Sequence, residues 1–348
     1  MKSVFNCLTA VCVIVGCVIG AGFASGKEVL IFFYQGNPLL VFISCFILFF
    51  VGTVLFLIAS NRYKIYDTHI LFYKIFGRLN IIFELLINLA YFIVLATMLA
   101  GSNLCLSKIF NTSSIFPFFS LATAILCGYA LNHDISGLKF VNVLAVPLII
   151  VFIIYICLQR GDASVVCEGQ RLSSSLSYSA FNCIMMCGVL LPLGKGLNKK
   201  ECVITSLISS LFLSALVALI LQRINQGVFL DTPMPLISLA KERGIIPFYL
   251  ASGALYLSIV TTLVSNAFPL VRSLGNVVKD KTVSTAIVMF CALIFSLVGF
   301  DNIIEKAYPA IAIFGLIVII FLLVGLIFDY ILEKKRSKER QNHDAVTN

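Results

Sequence analysis

Tryptophan is absent from the 348-residue chain, and charge is scarce: Asp, Glu, Lys and Arg make up 12% of it. A water-soluble globular domain carries about twice that share of charge. With 60% of residues apolar, too little polar surface remains to coat one aqueous core. A soluble enzyme and a nucleic-acid binder are excluded on this balance. Histidine is rarer still. His69, His133 and His343 are the three present, and none lies in an apolar run. No His-Glu-x-x-His pair exists to hold zinc, and no pair of Asp residues lies within an apolar run. Phe23-Ala24-Ser25-Gly26 is not the Gly-x-Ser-Gly of intramembrane serine proteases, and no histidine in a span is there to activate Ser25. The chain is expected not to be an enzyme and to use no cofactor.

Cysteine is not scarce, but its pattern is uninformative in a useful way. Eleven of the twelve lie in apolar runs, and no Cys-x-x-Cys or Cys/His cluster occurs. They read as small, lipid-compatible side chains rather than a disulfide frame or a zinc site. Cys167 alone sits in a polar loop.

What the chain does have is apolar runs of membrane-spanning length. A span needs roughly 20 apolar residues. Ten fit, near 4–34, 38–59, 80–106, 115–131, 138–158, 177–196, 201–221, 246–275, 282–299 and 303–332. The first could imitate a signal peptide, with Lys2, an apolar stretch to Ile19 and Gly22-Phe23-Ala24, but the apolar pattern resumes at Val29. The expected organisation is one transmembrane domain over 1–332. It divides into possible repeats at about 1–158 and 177–332, each opening on an interrupted helix. A basic, polar and unstructured tail follows over 333–348.

Basic residues set the orientation. With the N-terminus in the cytoplasm, the inner loops and tail receive 17 of the 25 Lys and Arg, and the outer loops receive 8. Both termini are therefore expected inside. The net charge of +9 points to anionic lipid headgroups as partners, not nucleic acid.

The most informative segment runs from Gly16 to Glu28, GCVIGAGFASGKE. Four glycines and a serine fall within the eleven residues from Gly16 to Gly26 of the first span. Glycine weakens a helix and permits unusual dihedrals. Backbone groups freed in a membrane are tolerable only beside protein or a water-filled cavity. The N–H groups of such a break suit an anion, and its carbonyls suit a small cation. Close packing of neighbouring helices is the plainer alternative. It explains small residues at helical spacing but not Gly-Ala-Gly followed directly by Ser-Gly-Lys-Glu.

"VIGAGFASGKEVLIFF" resembles the YkvI-like membrane protein family, which looks like a branch of the amino acid–polyamine–organocation superfamily. The resemblance covers the whole chain, with "SAFN" and "VLLPLG" in the sixth span and "EKAYPAIAIFGL" in the tenth. It implies an all-α LeuT-type fold of about ten transmembrane helices, a five-plus-five inverted repeat with helices 1 and 6 broken at a midplane site.

Roles follow from that resemblance by position. Ala21, Gly22 and Phe23 would offer N–H groups to a substrate carboxylate. The carbonyls of Gly16 and Ile19 would face a cation, completed by the Ser258 carbonyl and the hydroxyls of Thr261 and Thr262. Two Thr in a membrane helix also commonly bond their own backbone. In the sixth span, carbonyls near Ser177 and Tyr178 would receive a substrate ammonium, with Asn182 beside them, although the usual glycine after the break is Ser179 or Ala180 here. Tyr91, three residues from Asn88 on one face of the third span, would suit a substrate wall. Lys139, in "GLKFVN", resembles the lysine of proton-coupled relatives, or it snorkels to headgroups as an anchor. Lys27 and Glu28 could pair with each other, and Glu84 with Arg78.

The expected function is a secondary transporter that moves a small amino-acid-like solute across the cytoplasmic membrane, coupled to Na⁺ or H⁺. A ligand-sensing membrane protein, similar to spore-germination receptor subunits, is the alternative.

Overall fold

The computed structural model describes residues 2–112, 117–131, 134–158, 172–226 and 232–347, with side chains described outside 2–3, 134–141 and 329–347. The described residues are mostly helical, with no strand among them. The helices are α1 (Lys2–Val18), α2 (Ala21–Ala24), α3 (Lys27–Phe33), α4 (Pro38–Tyr63), α5 (Thr68–Phe76), α6 (Asn80–Phe110) and α7 (Phe118–Leu131). They continue with α8 (Asp134–Leu158), α9 (Leu172–Gly194), α10 (Lys199–Asn225), α11 (Pro235–Glu242), α12 (Ile245–Leu274), α13 (Lys281–Phe295) and α14 (Phe300–Thr347). The chain is a multi-pass membrane protein. Among the described residues, seven helical segments are long and apolar enough to cross a bilayer, and three shorter apolar helices, Val4–Val18, Phe118–Leu131 and Asn142–Leu158, accompany them.

Burial separates the middle of the bundle from its rim. The apolar windows of α9 and α12 are each 83% enclosed, against 33% for α13 and 28% for α14. Helix α9 packs on α4 and α14, α12 on α6 and α8, and α1 on α8, α9, α10 and α12. The interior contacts are close. A methyl group at Gly315 of α14 would fall 2.5 Å from Ala180 O of α9. Outward-facing Ile81, Leu85, Ile313 and Ile317 are exposed apolar residues that suit lipid.

Four expectations change here. The sixth span is not broken: α9 runs continuously through Ser177, Tyr178 and Asn182. No glycine or proline lies between Leu172 and Cys187, so nothing removes an amide or permits a left-handed turn. The chain after 333 is not unstructured, because α14 runs on to Thr347. Its Glu, Lys, Arg and Gln are good helix formers, and no glycine or proline follows Gly325 to stop them. Glu84 pairs with His69 at 2.6 Å, not with Arg78. Finally, two short helices interrupt the expected loops. Helix α5 is latched to its neighbours by that His69–Glu84 contact, by Arg272 Nε to Asp67 Oδ2 at 3.2 Å and by Lys74 over the Tyr63 ring. Helix α11 lies against the break in the first span.

Candidate functional site

The first span is broken twice, as its glycines predict. Helix α1 ends at Val18. The Gly20 amide, which in a continuous helix would close onto Gly16 O, bonds Val18 O at 2.8 Å instead. Gly20 is extended, a single turn of helix follows over Ala21–Ala24, and Gly26 at φ +82° turns the chain into α3. That left-handed geometry is easy for glycine alone. Helix α11 lies over the second break: Leu236 N donates to Ser25 O at 2.9 Å, and a Cβ on Gly26 would sit tightly, 3.1 Å from Leu236 Cγ.

The first break assembles an oxygen cluster. The Thr262 hydroxyl of α12 donates to Gly16 O at 3.2 Å and to Ile19 O at 3.1 Å. Two carbonyls and one hydroxyl therefore converge in a buried place, a hard-oxygen set suited to a small cation. The other two expected ligands stand apart. Thr261 donates to Ser258 O at 2.9 Å, so these two satisfy each other along α12. Lys139 lies outside the residues whose side chains are described. Asn142, three residues further along α8, is buried against Gly16 in close contact.

The expected solute residues divide in the same way. Ala21, Gly22 and Phe23 are buried in the first turn of α2, where amides have no intrahelical acceptor. Ala21 N spends its hydrogen on Met98 Sδ at 3.4 Å. Tyr91 is not an open wall. Its hydroxyl accepts from Gly188 N at 2.9 Å and meets Cys187 Sγ at 3.2 Å, which pins α6 to α9. Asn88 bonds Ser273 Oγ at 2.9 Å. Ser177 is half-buried, and Asn182 Nδ2 donates to Tyr178 O at 2.9 Å. The Tyr178 carbonyl is thus already used within α9.

Lys27 and Glu28 do not pair. Lys27 Nζ reaches α14 instead, 3.0 Å from Glu305 Oε1 and 3.6 Å from Asp301 Oδ1. Glu28 turns inward over Gly22 and is buried. Sequence reading took Glu28 as a partner for Lys27 and did not place it in this buried centre. The available signal was an acidic residue inside an apolar run.

Cavities flank this centre from both ends. One of about 590 Å³ is lined by Tyr66, Pro192, Lys195, Arg272 and Lys279, among others. The other, about 520 Å³, is lined by Asn103, Ser120, Ser296, Asp301 and Asn302, among others. Gly22, Glu28, Tyr178 and Thr262 are buried and line neither of these two cavities.

Comparison with known proteins agrees with this geometry. No family model matches the chain. It resembles the uncharacterized membrane protein YkvI of Bacillus subtilis (strain 168), 27% identical over 89% of this chain and 92% of that one. The uncharacterized protein YyaD of the same organism is 21% identical over 92% and 96%. Among solved structures, MhsT in complex with L-phenylalanine superposes with a TM-score of 0.68 at 14% identity, covering 90% of this chain and 87% of that one. Mhp1, a nucleobase-cation-symport-1 family transporter in a closed conformation with bromovinylhydantoin bound, gives 0.64 at 12% identity over 88% and 74%. A manganese transporter of Eremococcus coleocola gives 0.56 at 14% identity over 93% and 77%. The chain has the LeuT fold of these proteins.

Proposed function

We propose that the chain is a secondary transporter of the cytoplasmic membrane that carries a small amino-acid-like solute by alternating access. The observation that carries this reading is the double break of the first span beside Thr262. A helix in lipid keeps its backbone bonds unless the freed groups are buried in protein or line a water-filled cavity, and here freed carbonyls converge on a hydroxyl from another helix. In this reading ten helices cross the membrane as two five-helix repeats, α1–α8 and α9–α14, with both termini in the cytoplasm.

The coupling ion is Na⁺ or H⁺. Three hard oxygens at Gly16, Ile19 and Thr262 favour Na⁺. Lys139 is the residue through which a proton would act in its place, since an ammonium beside a sodium site repels it by about 4 kcal/mol at roughly 4 Å and an effective dielectric near 20. A transition-metal cargo is disfavoured, because no three His, Cys, Asp or Glu among the described residues group as a metal site. The Lys27 bridge to Asp301 and Glu305 ties the broken span to α14 and serves as the outer closure.

The test is uptake by the reconstituted chain, with Na⁺ replaced by K⁺ and separately with the pH gradient collapsed. Transport that fails in one of these conditions identifies the ion. Indifference to both contradicts coupled transport.

A further inference from the structure

Helices α7 and α13 pack side by side, with α12 behind them. Between them lies an apolar groove of about 480 Å³, lined by Ile125 and Gly128 of α7 and by Thr282, Thr285, Met289 and Leu293 of α13, among others. One end of the groove adjoins the cavity of about 590 Å³. Leu131, one turn beyond Gly128, and Lys281, next to Thr282, both line that larger cavity.

The lining changes with depth along α13. At the cavity end Lys281 is joined by Lys195, Arg272 and Lys279. No acidic side chain among the described residues lines either space. Asp67 holds Arg272 at 3.2 Å, and the Asp280 carboxylate turns to α13 itself, accepting from Thr282 N at 2.8 Å and Val283 N at 3.2 Å. The C-terminal ends of α7, α9 and α12 also favour cations, but each equals about half a charge, so with Asp67 they offset roughly two to three of the four. Positive charge is left over. One turn deeper stands Thr285, 5% exposed, whose hydroxyl has no hydrogen-bond partner among the described residues. Beyond it the groove is apolar as far as Leu293. From Thr282 to Leu293 a helix rises about 16 Å, close to half of the roughly 30 Å hydrocarbon core of a bilayer.

Positive charge, then a buried hydroxyl, then an apolar groove one leaflet deep is the order of a phospholipid's phosphate, glycerol ester and acyl chain. We propose that the two adjoining spaces form one site for an anionic phospholipid, in the leaflet that faces the basic loops. The phosphate lies among Lys195, Arg272, Lys279 and Lys281, as in other basic pockets between membrane helices. Thr285 donates to an ester oxygen, and an acyl chain fills the groove. A phosphocholine headgroup brings its own cation to four others, so a lipid of net negative charge is preferred. A water-soluble phosphate ester would use the cavity and leave Thr285 and the groove unserved. The site is separate from the break in the first span and does not rest on the transport reading, since Gly16, Ile19 and Thr262 line neither space.

The test is native mass spectrometry of the full chain, delipidated in a neutral detergent. The probes are phosphatidylglycerol, phosphatidylcholine and glycerol 1-phosphate. One phosphatidylglycerol is expected to bind at least about tenfold more tightly than phosphatidylcholine, and glycerol 1-phosphate not at all at millimolar concentration. Lys195→Gln/Lys279→Gln should weaken phosphatidylglycerol roughly thirtyfold, the effect of two lysines near one phosphate. Lys199→Gln/Lys200→Gln should leave it unchanged, since these exposed cations of α10 line neither space. Gly128 has room for a Cβ, 3.6 Å from Thr285 Cγ2, so Gly128→Leu is expected to fold, fill the groove and weaken both lipids. Equal binding of the two lipids by wild type overturns the proposal. So does an equal loss from the α10 pair, which would mark general attraction to basic loops. Binding of glycerol 1-phosphate as tight as that of the lipid assigns the cavity to a soluble phosphate, and a dimer that Gly128→Leu disperses puts a second copy of the chain in the groove. Either result defeats the lipid site.

Discussion

A methyl group at Gly22 would fall on the Glu28 side chain, while one at Gly26 would meet Leu236 and Ile224 from a left-handed backbone. The two substitutions should fail differently. Gly22→Ala displaces Glu28, a flexible side chain, so the fold survives and uptake is lost while expression stays near wild type. Gly26→Ala forces φ +82° on a residue that resists it and costs about 1–2 kcal/mol of stability, read as a lower melting temperature of the purified protein. The two threonines also separate. Thr262 joins α12 to the freed carbonyls, whereas Thr261 bonds only its own helix. Where uptake depends on Na⁺, Thr262→Ala should abolish that dependence and Thr261→Ala should leave a smaller effect, both measured as uptake against Na⁺ concentration. Glu28 was hidden from sequence reading by its neighbour. Lys27 and Glu28 are adjacent in the sequence, but consecutive side chains on a helix do not face each other. The Lys27 side chain points to α14 and the Glu28 side chain to the interior.

Among the elements, apolar length and glycine clustering were legible, and tertiary contact was not. The ten apolar runs each contain a helix, and the Gly-Ala-Gly cluster marks the broken one, since both signals act locally. The sixth span misled because its hydroxyls and Asn182 resemble the polar lining of a break, yet it has no residue that opens the backbone before Gly188. Helices α5 and α11 were missed because nine and eight residues of mixed polarity make no hydropathy signal. Their positions come from contacts with distant elements: Arg272 and Glu84 for α5, and Ser25 for α11. Element packing also yields a prediction. Gly315 of α14 sits against the Ala180 backbone of α9, and backbone cannot step aside. Gly315→Leu should destabilise the protein by about 2–3 kcal/mol, seen as a fall in melting temperature and in monodisperse yield. The half-exposed His69 on α5 is a contrast: His69→Ala should change stability by no more than about 1 kcal/mol.

At the scale of the whole molecule, the residues around the break of the first span are buried, and they line neither of the two flanking cavities. Under the proposed transport reading, this buried centre opens to one side at a time, and the solute and the cation bind between the freed groups of the first span and the helices around it. Lys27 bridges to Asp301 and Glu305 of α14, while the larger of the two cavities is lined by Lys195, Arg272 and Lys279. The most direct measurement is uptake by proteoliposomes of a labelled pool of amino acids and amines, comparing wild type, Gly22→Val and protein-free liposomes. The account predicts accumulation by wild type alone, with Gly22→Val inserted normally but reduced to the protein-free level. Accumulation by Gly22→Val equal to wild type, or none by wild type, would contradict it.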